Sequence, residues 1–263
     1  MTRLPRCVGA TIRGERHVAR GEPCCDALWI PPRRSDLAGF VICDGAGGSA
    51  TVARAAAAGA RAGGAALRLL HRALRRELAN GGPAVLAPAL VAPGLKARFL
   101  AAFRHRSSAG HRPGGPRADH TLLGCLWDRQ LLLLARVGDS SLLLRRQGRW
   151  QLPLPPAKGD YANETCFLRP STGPADLDLW CTAAPSVEAV IGFSDGLEAA
   201  FLAPAAGEPE RLHPNHQLAD LVLRKHQRRQ GWRGYRRWLT RSLADPAIQA
   251  LSDDDRTLVM AAR

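Results

Sequence analysis

Apolar residues gather in runs of strand length, and each run is bounded by residues that favour turns. Residues 37–43 lead into Asp44-Gly45-Ala46-Gly47-Gly48, residues 131–137 into Gly138-Asp139-Ser140, and residues 187–193 into Ser194-Asp195-Gly196. A fourth run, residues 258–262, is preceded instead by Ser252-Asp253-Asp254-Asp255-Arg256-Thr257. Each run predicts a β-strand with an aspartate at one end, where the chain turns and a carboxylate can leave the core for a shared cleft. Four strand ends would then deliver carboxylates to one edge of a sheet system.

Helical spacing marks three other stretches. Residues 50–80 are rich in Ala and Arg, carry Leu67, Leu69, Leu70 and Leu74, and stop at Gly81-Gly82-Pro83. Residues 95–104 predict a second helix, and residues 217–243 a helical group with Leu218, Leu221, Val222, Trp232, Tyr235, Trp238 and Leu239 directed to the core. Residues 106–116 and 203–214 read as loops, neither biased enough to be a linker between domains. No internal repeat is present, and the order of elements predicts α+β layers in one domain over residues 1–263.

Composition changes this picture little. A chain of 263 residues that is 46% hydrophobic can fill a sizeable core. The net charge of +14 would suit nucleic acid, yet only Lys96, Lys158 and Lys225 are lysines and the arginines spread along the whole chain. That skew, with abundant Ala, Gly and Pro, reads as the residue usage of a GC-rich genome, so no nucleic-acid partner is expected. The seven cysteines form no C-x-x-C pair, and Cys43 and Cys125 sit in apolar runs, as free thiols in a reducing compartment would. The N-terminus lacks a signal-peptide core and no stretch approaches about 20 apolar residues, so a cytoplasmic protein that does not enter the membrane is expected.

Asp44-Gly45 is a favoured turn dipeptide in any protein. It also suits a metal, because a glycine lets an ion approach the backbone, so that the Asp44 carboxylate and the Gly45 carbonyl can both act as hard ligands. Such oxygens favour Mg²⁺ or Mn²⁺, and Asp195 and Asp254 can complete the set. Two adjacent divalent ions need several carboxylates to offset their charge, one of them bridging.

The ordered set of motifs resembles the type 2C protein phosphatases, the metal-dependent serine/threonine phosphatases, and more closely a bacterial branch of them. The motifs are Gly21-Glu22-Pro23-Cys24-Cys25-Asp26-Ala27, Val41-Ile42-Cys43-Asp44-Gly45-Ala46-Gly47-Gly48, Thr121-Leu122-Leu123 and Val137-Gly138-Asp139-Ser140. Tyr161-Ala162-Asn163-Glu164-Thr165, Phe193-Ser194-Asp195-Gly196-Leu197-Glu198 and Asp254-Asp255-Arg256-Thr257-Leu258-Val259 complete it. The resemblance implies a four-layer α-β-β-α sandwich, two antiparallel sheets packed face to face with helices outside. It implies two Mg²⁺ or Mn²⁺ ions, with Asp44 bridging, Gly45 giving its carbonyl, and Asp195 and Asp254 binding one of the pair. Asp139 corresponds to a ligand of a third, weaker ion or to a plain hairpin turn, and Asp26 to an acidic residue near the metals. Asp44, Asp195 and Asp254 would carry catalysis, in which an activated water attacks phosphorus directly with no phosphoenzyme.

Three positions depart from the family pattern. Cys25 stands where relatives carry Glu or Gln, and a thiol is a poor substitute in a magnesium shell. Ala46 replaces a histidine proposed as general acid in eukaryotic relatives, one that bacterial relatives often lack. Arg16 and Arg20 both lie upstream of Asp26, and Arg20 is the preferred holder of substrate phosphate. His17 shares that segment and reads as a packing residue or a cleft residue, while Asp160 and Asn163-Glu164-Thr165 read as structural or as a flap. The expected activity is removal of phosphate from serine and threonine of cytoplasmic proteins, opposing a Ser/Thr kinase. The alternatives are a weakly catalytic pseudo-phosphatase that binds phosphoproteins, and an arginine-rich nucleic-acid binder.

Overall fold

The computed structural model of the chain describes residues 4–32, 35–80, 93–108, 119–155, 165–169, 171–205, 207–228 and 231–263. Most of the loop expected at 106–116, and residues 160–164 of the expected flap, lie outside these. The chain opens with β1 (Arg6–Ile12), α1 (Glu15–Ala19), β2 (Asp26–Trp29) and β3 (Ala38–Asp44). Helices α2 (Ala50–Ala79) and α3 (Pro93–Ser108) follow, then β4 (Leu122–Trp127), β5 (Leu131–Val137), β6 (Ser141–Arg146), β7 (Arg149–Gln151) and β8 (Asp178–Ala183). The remainder carries β9 (Ala189–Phe193), α4 (Glu198–Phe201), β10 (Leu202–Ala205), β11 (Glu208–Pro214), α5 (His216–Arg228), α6 (Trp232–Leu243), α7 (Pro246–Gln249) and β12 (Arg256–Ala262).

Two five-stranded antiparallel sheets result, in the orders β1-β12-β9-β6-β7 and β2-β3-β4-β5-β8. Strand β3 shows why its sequence is a continuous apolar run: both of its faces are covered. Phe40 and Ile42 meet Leu123, Leu134, Leu142 and Val259 between the sheets. Val41 and Cys43 face the other way, toward Leu67 and Leu70 of α2 and Phe99 of α3. On the far side of the sheet that holds β9 and β12, Ile191, Phe193 and Met260 pack with Val222 of α5 and Tyr235 and Leu239 of α6. The expected helix-sheet-sheet-helix order is therefore present, and each fully buried Leu or Phe contributes about 1.5–3 kcal/mol to it.

Helix α2 starts at Ser49, whose side chain accepts the Val52 N–H at 3.3 Å, and it lies directly on its sheet. A Cβ at Gly64 would stand 2.6 Å from the Trp29 ring, which explains why this helix face is made of Gly and Ala. Its leucines divide by angle: Leu67, Leu70 and Leu74 are buried, whereas Leu69 is exposed. Leu221 and Trp232, expected in the core, are likewise exposed. The buried arc of α5 is Ala219, Val222 and Leu223, and that of α6 is Tyr235, Leu239 and Leu243. The loop expected over residues 203–214 is instead a two-stranded ribbon of β10 and β11. Pro204 and Pro214 hid it, because proline marks edge strands, and an isolated ribbon has only edges.

Candidate metal centre

The antiparallel pairing of β2 with β3 sets Asp26, the first residue of one strand, opposite Asp44, the last of the other. The Asp44 N–H donates to Thr121 Oγ1 at 3.1 Å, and the Asp44 carbonyl accepts the Thr121 N–H at 2.8 Å. Gly45 fits tightly behind it, since a Cβ there would stand 2.5 Å from Val52 Cγ1 and 3.1 Å from the Cys25 carbonyl. From the other sheet, Asp195 opens a short 3-10 turn just beyond β9, and Asp254 lies in the turn before β12. Asp139 sits between β5 and β6, after Gly138 at φ 101°.

These carboxylates from both sheets meet at one end of the sandwich. The Asp44 and Asp195 carboxyls act directly on each other, and each feels the charge of Asp139. Burial, reinforced by Asp26 and Asp195, pushes the Asp44 carboxyl well above the usual range. Burial, then the neighbouring Asp139 and Asp254, pushes Asp195 up to about 6. Asp26 is pushed up to about 7 by burial, in spite of the Ser194 and Thr257 hydroxyls that each donate to its Oδ2 at 2.7 Å. Two oxygens of the group, Asp26 Oδ1 and Asp139 Oδ1, are buried and have no hydrogen-bond partner among the described residues. The other Asp139 oxygen accepts the Thr165 hydroxyl at 2.7 Å.

Crowded carboxylates with unused buried lone pairs are unfavourable alone and suit a hard divalent cation. The donor set of Asp26, Asp44, Asp139, Asp195 and Asp254, with the cradle at Gly45, fits Mg²⁺ or Mn²⁺.

Of the two upstream arginines, the structure brings Arg16 to the cluster, its Nη2 donating to Asp254 Oδ2 at 2.6 Å. Arg20 is exposed at the end of α1, and among the described residues its side chain meets no carboxylate. Ser194 and Thr257 had no expected role. They flank Asp195 and Asp254 in the motifs, but only the crossing of β2 with the opposite sheet turns their hydroxyls onto Asp26. Asp255 is a further surprise. It is 2% exposed and accepts the Gly14 N–H at 2.7 Å and the Cys25 N–H, tying the N-terminal segment to the turn before β12. Burial raises its pKa, but these bonds and the nearby His17 outweigh burial and hold it below the usual value.

Cys25 is buried, and its thiol is pushed up to about 11 by burial, then by Asp255, Asp44, Asp26 and Glu22. A neutral thiol gives a magnesium shell nothing. Ala46 contributes only backbone here, its N–H donating to the Asp119 carbonyl at 2.9 Å.

Solved phosphatases share this architecture. The serine/threonine phosphatase Stp1 of Staphylococcus aureus is 14% identical, covering 100% of this chain and 96% of its own, with a TM-score of 0.57. The serine/threonine phosphatase PstP/Ppp of Mycobacterium tuberculosis is 18% identical, covering 99% of each chain, with a TM-score of 0.57. The catalytic domain of the phosphatase PstP in complex with 2 manganese ions is 17% identical, covering 98% of each chain, with a TM-score of 0.55. At such identities the likeness shows the fold. No curated protein matches the chain at a significant level. Residues 13–244 match the family described as Protein phosphatase 2C. With that match spanning all of the carboxylate cluster but Asp254, the chain belongs to the protein phosphatase 2C family of enzymes.

Proposed function

We propose that this chain is a metal-dependent protein serine/threonine phosphatase, working as one domain over residues 1–263. The observation that carries the reading is the meeting of Asp26, Asp44, Asp139, Asp195 and Asp254 at one end of both sheets, with Asp26 Oδ1 and Asp139 Oδ1 buried and unpaired among the described residues. Asp44, Asp195, Asp254 and the Gly45 carbonyl would hold two Mg²⁺ or Mn²⁺ ions, Asp26 would support them through water, and Asp139 would hold a third. When bound, such ions neutralise the phosphate oxygens and acidify the attacking water.

The chain's own residues do the rest. Ser194 and Thr257 both donate to Oδ2 and so fix the Asp26 carboxylate, leaving its other oxygen for a cation. Arg16, paired with Asp254 at the rim, presents its guanidinium to the phosphate of the substrate. Ala46 carries no proton, so the leaving serine or threonine oxygen takes its proton from water. Exposure of Arg16 at the cluster suits a phosphorylated side chain on a protein surface, supplied by a Ser/Thr kinase in the same cytoplasm. Among the described residues no helix is long and apolar enough to cross a membrane.

The test is hydrolysis of a phosphothreonine peptide with and without Mn²⁺, beside Asp44→Ala and Asp195→Ala. Wild-type turnover no greater than that of the variants would end the enzyme reading. The buried neutral thiol of Cys25 favours a second reading, a weakened enzyme that binds phosphoproteins. A large gain in Mn²⁺ affinity and turnover in Cys25→Gln supports it, and unchanged values count against it.

A further inference from the structure

Next to the carboxylate cluster, His17, Cys25 and Asp255 bring one donor atom each to within 4.8 Å of one another. They are 4%, 1% and 2% exposed. Their chemistry differs from that of the cluster: an imidazole, a thiol and one carboxylate, where the cluster offers oxygen alone.

The Asp255 oxygens accept the Gly14 and Cys25 N–H groups. His17 Nδ1 lies 3.0 Å from Asp255 Oδ1, an ion-pair distance outside good hydrogen-bond alignment, and among the described residues it has no aligned hydrogen-bond partner. The Cys25 sulfur makes weak thiol contacts, 3.7 Å to the Pro23 carbonyl and 3.8 Å to the Ser49 carbonyl. Nitrogen, sulfur and oxygen donors converging in a buried place match the ligand preferences of a borderline cation, not those of Mg²⁺. Bonds of about 2.0–2.3 Å to one Zn²⁺ put tetrahedral ligand atoms about 3.3–3.7 Å apart, a spacing that small side-chain movements reach from here.

We propose that His17, Cys25 and Asp255 form a Zn²⁺ site, distinct from the oxygen-only cluster it adjoins, with water as the fourth ligand. Binding releases the Cys25 thiol proton to solvent and leaves a thiolate-zinc bond. Because Cys25 precedes Asp26 and Asp255 follows Asp254, occupancy acts on the backbone that carries two carboxylates of the neighbouring cluster. The site stands whether or not the chain hydrolyses phosphate.

Co²⁺ serves as a coloured stand-in for Zn²⁺, titrated into the full chain with excess Mg²⁺ to fill the oxygen sites. One equivalent is expected to produce a thiolate-to-cobalt charge-transfer band that one equivalent of Zn²⁺ abolishes. The band should vanish in Cys25→Ser, need at least about tenfold more Co²⁺ in His17→Gln, and survive in Asp44→Asn. No band, or a band that persists in Cys25→Ser, overturns the proposal. Since a buried cysteine's replacement can disturb folding, zinc-edge X-ray absorption on the wild-type chain reads the same point. A sulfur at about 2.3 Å with an imidazole supports the site, and a shell without sulfur overturns it.

Discussion

Arg16 Nη2 stands 2.6 Å from Asp254 Oδ2, so a cation from α1 already neutralises one carboxylate of the cluster. The two side chains are 39% and 27% exposed, and such a pair contributes only about 0–1 kcal/mol to stability. Its importance is positional: the guanidinium is held at the rim yet can turn toward an arriving phosphate.

Arg16→Ala should therefore lower kcat/KM for a phosphothreonine peptide by about 10- to 100-fold, mostly through KM, the loss of one charge-assisted contact worth about 1.5–3 kcal/mol. Arg20→Ala should change it less than about threefold. Steady-state kinetics on both variants decide the matter, and the reverse ranking would return the phosphate to Arg20.

Without metal, stability should fall as pH rises. Asp26, at about 7, and Asp195, at about 6, hold protons in the folded chain that the unfolded chain releases near an ordinary aspartate pKa of about 4. Both contributions are complete below about pH 4 and are lost as pH climbs through about 6 to 7, because the folded pKa values are raised. Thermal unfolding in a chelator should show a Tm lower by a few degrees, roughly 2–4 °C per kcal/mol, at pH 8 than at pH 5. Mn²⁺ should restore it at pH 8. A metal-free Tm that rises over this range contradicts the buried cluster.

Asp195→Asn removes one charge from that cluster. Activity should drop by at least about 100-fold, while the metal-free protein at pH 8 becomes more stable, the usual exchange at a strained site. Parallel assays of turnover and of unfolding in a chelator read both; a loss of stability together with activity would mean the carboxylate supports the fold.

Ser194→Ala should cost about 1–3 kcal/mol. Its buried hydroxyl donates to Asp26 Oδ2 at 2.7 Å and accepts the Thr257 N–H at 2.9 Å, so its removal strands a buried donor and loosens Asp26. Denaturant unfolding checks the first effect and Mn²⁺ titration the second.

Gly45→Ala should destabilise by about 1–3 kcal/mol through overpacking against Val52 Cγ1, 2.5 Å from the new Cβ. Val52→Ala in the same chain should recover part of that loss, a coupling that a double-mutant cycle measures.

Much of this was legible in the chain because it depends on neighbours in sequence. The run at 131–137 reads as a strand and is β5, Leu131–Val137, and residues 50–80 read as a helix and form α2, Ala50–Ala79. Each depends on side-chain periodicity and on the turn or cap residue at its end, which act within a few positions. Aspartates at strand ends are visible for the same reason. Which of them share a cleft is not, since Ser194 and Thr257 reach Asp26 across 168 and 231 positions of the chain. Arg16 rather than Arg20 at Asp254, the buried His17–Cys25–Asp255 group, and the outward Leu69 and Leu221 likewise follow from how two sheets and their helices stack. Local chemistry writes the elements, whereas contacts between distant elements are settled by packing both faces of each sheet at once, a constraint that no window of sequence contains.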